Sequence, residues 1–139
     1  MNIVLDASVA AKWLLVEVDS DKAEALFGAW TAKRIGLLAP EILPAEVASA
    51  LWKRVMRGLV PSAEAIRLQR EFSDLAIPLY PVKELVDLAF QLALQFRHSV
   101  YDGLYLALAR QTGADFVTAD ARLVSLASPG TARLLRDWR

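Results

Sequence analysis

The sequence predicts an α/β fold, a central parallel sheet with helices on both faces. Three observations point there. Short apolar or β-branched runs alternate with longer segments of helical periodicity, the pattern of repeated strand–helix units. The first run, Ile3-Val4-Leu5, is apolar throughout, as a strand covered on both faces must be. The chain has 139 residues and is 55% hydrophobic, enough for one domain with a substantial core. Residues 1–139 read as a single domain, because no repeat, linker or low-complexity segment divides them.

The elements follow in order. Ile3-Val4-Leu5 is a strand ending on Asp6, and Ala10 to Leu15 reads as a short helix. Ser20 or Asp21 caps a longer helix whose apolar face is Ala23, Leu26, Phe27 and Trp30. Gly36 to Ala39 is a second strand, closed by Pro40. Pro44 occupies a first-turn position and opens a helix to about Arg57, with Gly58 just past its end. After Pro61 comes an amphipathic helix with Ala65, Leu68, Phe72 and Leu75 on one stripe. Ile77 to Tyr80 is a third strand, and Pro78 places it at a sheet edge. Between Lys83 and Phe96 the polar residues Glu84, Asp87, Gln91 and Gln95 form one narrow stripe, so a mostly buried helix is expected. Ser99 opens the next helix, which ends near Gln111 with Gly113 beyond. Asp115 to Thr118 is a fourth strand, Asp120 starts a helix to about Ala127, and Ala132 to Leu135 form a fifth strand.

Composition narrows the function. There is no cysteine, which excludes disulfides, thiolate zinc sites and a cysteine nucleophile and suits a reducing cytoplasm, the expected compartment. Sixteen basic residues balance sixteen acidic ones, so a strongly basic nucleic-acid binder is not indicated. Mean hydropathy is high at +0.32, yet no apolar stretch approaches the ~18–20 residues of a spanning helix. Met1 to Asp6 has no basic stretch, so no signal peptide is expected.

The acidic residues are placed unevenly. Asp6 follows the first strand, and Asp120 lies two residues past the fourth. Glu46 and Asp102 fall in the first turns of two helices. In an open parallel sheet, strand C-termini and the following helix N-termini face one edge, so four carboxylates from four segments are expected to meet there. Each has a structural explanation alone: Asp6 and Asp120 as helix caps, Asp102 in the capping box of Ser99, Glu46 at a helix dipole. Together they repel, and a cluster of carboxylates needs a cation or raised pKa values. An all-oxygen set suits Mg2+, with Mn2+ as a substitute.

Competing chemistries lack their signatures. Neither phosphate-cradling glycine motif occurs, and there is no G-x-S-x-G around a serine nucleophile. His98, the only histidine, reads as a surface residue or a phosphate contact, with the surface reading favoured. A phosphoacceptor domain would want an acidic pair after the first strand, where only Asp6 stands. Glu46, Ser49, Lys53 and Arg57 recur along one helix face, either a solvated stripe or a basic track leading away from the acids. Setting the four acids aside leaves 16 basic against 12 acidic residues. A rim of Lys12, Lys53, Arg54, Arg57 and Arg97 around such a centre suits a phosphodiester substrate. Trp13, Trp30, Trp52 and Trp138 read as core or interface residues rather than base-stacking platforms.

Four blocks, Asp6-Ala7-Ser8-Val9-Ala10-Ala11-Lys12-Trp13, Leu43-Pro44-Ala45-Glu46-Val47, Tyr101 to Ala109 and Thr118 to Leu123, resemble in their order the PIN-domain family, and within it the VapC-like toxins of type II toxin–antitoxin modules. The resemblance spans essentially the whole chain. It implies a three-layer α/β/α fold, a Mg2+- or Mn2+-dependent endoribonuclease, a homodimer, and a cognate antitoxin that blocks the active site. The family's acidic quartet maps onto Asp6, Glu46, Asp102 and Asp120. Ser8 and Thr118 match its small hydroxyl residues and are expected to position carboxylates or water. Asp6, Asp102 and Asp120 are the expected metal ligands, and Glu46 the residue that orients or deprotonates water or holds a second ion. RNA contacts are expected at Lys12, Lys53, Arg57 and Arg97. Gly103 departs from the alanine common at its position and is expected to loosen its helix by ~1 kcal/mol. A PIN-fold nuclease of RNA processing or DNA metabolism, and a non-catalytic interaction module, are the alternatives.

Overall fold

The computed structural model describes residues 1–139. The elements run β1 (Asn2–Leu5), α1 (Ala7–Leu14), α2 (Ser20–Thr31), β2 (Gly36–Pro40), α3 (Leu43–Met56), α4 (Ser62–Ser73), β3 (Leu79–Tyr80), α5 (Val86–Phe96), α6 (Val100–Thr112), β4 (Asp115–Thr118), α7 (Ala121–Leu126) and β5 (Ala132–Leu134). All strand pairs are parallel, in the order β3-β2-β1-β4-β5. From β1 to β3 the chain steps toward one edge, and from β3 to β5 it steps back across to the other. Right-handed crossovers then place α1–α4 on one face and α5–α7 on the opposite face. The contacts agree: α1 packs on α2 and α3, and α3 on α4, while α6 packs on α5, β1, β2 and β4.

The core is one cluster sandwiched about the sheet. Ile3, Val4, Leu5, Phe116 and Val117 are fully buried in the two central strands. This explains why β1 carries no alternation: neither of its faces meets water. β3 is shorter than expected, two residues pairing with Ala39 and Pro40 at the sheet edge, and it follows Ala76 in a left-handed conformation.

Four local expectations need correction. α1 starts at Ala7, directly after Asp6, three residues earlier than its apolar periodicity indicated. The cap residue of α2 is Asp19, and Ser20 instead ties the preceding loop by accepting from the Glu17 N–H and donating to the Leu15 carbonyl. α5 begins at Val86 after a short 3-10 turn at Val82–Glu84, and only Ala89 and Leu92 of the helix are buried. Val86, Phe90 and Leu94 form an exposed apolar stripe on it, at i, i+4 and i+8. Finally, Gly103 is a packing residue. A Cβ there would stand 2.6 Å from the Ala89 carbonyl oxygen and 3.1 Å from the Ala89 Cα, so glycine is what lets α5 and α6 approach.

Candidate active site

β1 and β4 are neighbours whose following helices leave to opposite faces, which makes the gap between their C-terminal ends the switch point of the sheet. A cleft of about 880 Å³ opens there, and Asp6, Glu46, Asp102 and Asp120 all line it. Four elements deliver them. Asp6 closes β1 and caps α1, Glu46 lies in the first turn of α3, Asp102 in the first turn of α6, and Asp120 caps α7 after β4.

Asp6 is the most constrained. It is 7% exposed, and both carboxylate oxygens are engaged. Oδ1 accepts from the Ser8 N–H at 3.1 Å, the Ser8 hydroxyl at 2.5 Å and the Val9 N–H at 3.4 Å. Oδ2 accepts from the Thr118 hydroxyl at 2.6 Å. The two hydroxyls are themselves anchored, Ser8 Oγ by the Ala119 N–H at 2.9 Å and Thr118 Oγ1 by the Asp120 N–H at 3.1 Å. Their oxygens are 3.2 Å apart, with both protons committed to Asp6. Despite these donors, burial pushes the Asp6 carboxyl up to about 6, and the neighbouring Asp102 charge adds to the rise.

The structural explanations for the other acids fare differently. Asp120 does cap its helix: Oδ1 accepts from the Arg122 N–H at 3.0 Å and the Leu123 N–H at 3.2 Å. Asp102 does not complete a capping box. Ser99 Oγ accepts from the Asp102 N–H at 3.0 Å, but the Asp102 carboxylate makes no return bond and stands in the cleft. Its position therefore has no capping reason. Glu46 Oε1 accepts from the Tyr105 hydroxyl at 2.6 Å. Tyr105 was missed in the sequence, although it lies three residues after Asp102 on the same face of a buried helix.

Among the basic residues, Lys12, Lys53, Arg54 and Arg57 line the cleft, as does Ser49. Arg54 is tied to Glu17 at 3.2 Å. Arg97 is not among the lining residues. It closes α5 in a left-handed conformation, and its expected place on the rim is corrected accordingly. His98, expected at the surface, is buried; Nδ1 donates to the Ser99 carbonyl at 2.9 Å, and Nε2 has no partner. Of the tryptophans, Trp13 and Trp30 stack at 6.5 Å in a cluster with Phe27, while Trp52 is largely exposed on α3.

As placed, no three of the His, Asp and Glu side chains close around a single point. The donor set nevertheless fits a Mg2+-like ion. The donors are all carboxylate oxygens in one cleft, and the Asp102 charge already adds to the cost of ionising Asp6. Such an ion is held by one or two carboxylates with retained water and does not need a closed protein cage.

A family model described as PIN domain matches residues 3–129. A curated relative, ribonuclease VapC3 of Pyrobaculum aerophilum, is 34% identical over 125 residues, covering 88% of this chain and 92% of the relative. Among solved structures, PAE2754 from Pyrobaculum aerophilum superposes with a TM-score of 0.71 at 21% identity, over 98% of this chain and 85% of that one. VapBC2 from Rickettsia felis, bound to a DNA fragment from their promoter, gives 0.65 at 13% identity over the full length of both chains.

Proposed function

The chain belongs to the PIN domain family, and we propose that it is a Mg2+- or Mn2+-dependent endoribonuclease acting as the toxin of a toxin–antitoxin pair. The observation that supports this most is the convergence of four carboxylates from four separate segments in one basic-rimmed cleft. Side-chain capping explains Asp6 and Asp120, whereas the Asp102 and Glu46 carboxylates cap no helix and stand in the cleft.

Asp6 and Asp102 would hold the principal ion, with Asp120 completing the set through its uncommitted oxygen. When bound, such an ion polarises the scissile phosphoryl group and makes a nearby water more acidic. Glu46 orients that water and accepts its proton on the carboxylate. Ser8 and Thr118 keep Asp6 in one rotamer at the cleft. Lys12, Lys53 and Arg57 hold phosphates flanking the cleaved bond, which adds affinity without reading bases.

The ribonuclease name of the curated relative supports RNA as the substrate. The VapBC2 assembly supports an antitoxin partner. An apolar groove of about 410 Å³ between α3 and α4, edged by the exposed Trp52, Met56 and Ile66, is where we place the antitoxin segment. The Val86, Phe90 and Leu94 stripe of α5 is assigned to a homodimer contact. No helix is long and apolar enough to cross a membrane, and we place the activity in the cytoplasm, where structured RNA is available. The test is direct. Purified protein free of antitoxin should cut structured RNA with Mg2+ or Mn2+ and not with EDTA, and Asp6→Asn should abolish cutting. Undiminished cutting by Asp6→Asn would remove the proposal.

A further inference from the structure

We infer that Tyr105 is the positioning residue for Glu46, holding one carboxylate oxygen so that the other is left to the cleft. The inference rests on the nuclease reading above. Tyr105 is 1% exposed, and its ring stacks on Phe116 of β4 with centroids 6.0 Å apart and planes 14° apart. The ring is therefore fixed against the strand that leads into Thr118. From there the hydroxyl reaches α3 and donates to Glu46 Oε1 at 2.6 Å, joining residues 59 positions apart. That length lies at the short end of O–H···O hydrogen bonds. No protein group donates to Glu46 Oε2, although Glu46 and Tyr105 both line the cleft.

The bond has a chemical reason to be there. A glutamate carries three side-chain torsions, and a residue that must aim a water loses effectiveness with small misplacements. Tyr105 removes most of that freedom by fixing Oε1. Burial first, and then the Glu46 charge, raise the phenol well above the ordinary tyrosine range, so it stays a donor. Because Tyr105 is one turn past Asp102 on α6, the same bond ties the helix that carries Asp102 to the helix that carries Glu46.

Tyr105→Phe keeps the ring and its stacking and removes only the donor. With Mn2+ and a structured RNA, kcat should fall roughly tenfold to hundredfold while KM stays within about twofold, as expected for a lost bond to a charged group. In a Glu46→Gln background the same change should add no further loss, because its effect passes through Glu46. Mn2+ affinity, measured by calorimetry, should match the parent. In the metal-free protein the Glu46 carboxyl carbon resonance should shift on Tyr105→Phe. A parental kcat in Tyr105→Phe, or losses that multiply with Glu46→Gln, would overturn the assignment. A parent that cuts no RNA overturns the nuclease reading instead. In that case an unmoved Glu46 resonance also overturns the Tyr105 link, and a shifted one upholds it.

Discussion

The stability of metal-free Asp6→Asn relative to the parent should rise as the pH goes from acid to neutral. In the folded chain the Asp6 carboxyl titrates near 6 against 3.8 for the free side chain, with burial the main cause and Asp102 adding to it. Between those values the folded state keeps a proton that the unfolded state has lost. Stability therefore falls as pH rises through this window and levels off above it. A rise of that size corresponds to about 3 kcal/mol, of which about 2 kcal/mol falls between pH 4.5 and 7.5. Asparagine does not titrate. Its Oδ1 can keep the bonds from Ser8 and Val9, and its amide must turn the Thr118 hydroxyl into an acceptor. Any fixed cost of that exchange is independent of pH and cancels in the comparison. Urea unfolding of parent and Asp6→Asn in EDTA, at steps from pH 4.5 to 7.5, measures the difference. It should move by about 2 kcal/mol in favour of the variant as pH rises. A difference that stays flat, or moves the other way, would refute the claim that ionised Asp6 is a strained element of the fold.

Four further outcomes follow from the same geometry. Gly103→Ala should lower the melting temperature, because pushing Ala89 away costs about 1–3 kcal/mol against a helix-propensity gain of about 1; a rise would refute the close packing of α5 and α6. Asp120→Ala should cost about 1 kcal/mol of stability in EDTA through its lost cap, whereas Asp102→Ala should cost nothing. Both variants should lose most of the ~2.7 kcal/mol that a hundredfold excess of Mn2+ over its Kd gives the parent, read from melts with and without metal. Replacing Lys53 and Arg57 by Ala should make RNA binding less salt-dependent, reducing the log–log slope in anisotropy titrations by about 0.7 for each lost phosphate contact. Trp52→Ala should weaken the antitoxin complex at least tenfold in calorimetry and leave the RNA cleavage rate alone, since Trp52 edges the α3–α4 groove and not the acidic cleft.

What could be read in the sequence was what is encoded locally. The β1 run, Pro44 at the start of α3, Ser99 before α6 and Gly113 after it each act over a few residues, and each stands where its chemistry suggested. The four acids were legible for the same reason, because position relative to a strand end fixes the sheet edge on which a side chain emerges. Residues whose role depends on a distant partner were not legible. His98 is buried directly after the left-handed Arg97, and nothing beside it in sequence says so. Tyr105 meets Glu46 across 59 residues. On α5 the polar stripe was real, but an apolar residue beside it can face the core or a partner, and periodicity does not distinguish them. Gly103 looked like a weak helix residue until α5 was seen against it.

The same placement also explains how a fold can gather four carboxylates before any cation arrives. Each lies at or within the first turn of a different helix, α1, α3, α6 or α7, where exposed N–H groups and the helix dipole favour negative charge. Three hydroxyls, Ser8, Thr118 and Tyr105, add donors aimed at the two acids tied most tightly into the protein, Asp6 and Glu46. The compensation is uneven. Asp6 has the most donors and is still pushed up to about 6, since burial outweighs all of them together. Asp102 has no donor and contributes its charge to the strain on Asp6. The helix ends and hydroxyls thus make the cluster tolerable without neutralising it. The uncompensated charge centres on Asp6 and Asp102, the pair from β1 and α6, and that is where the proposed divalent cation would gain most by binding.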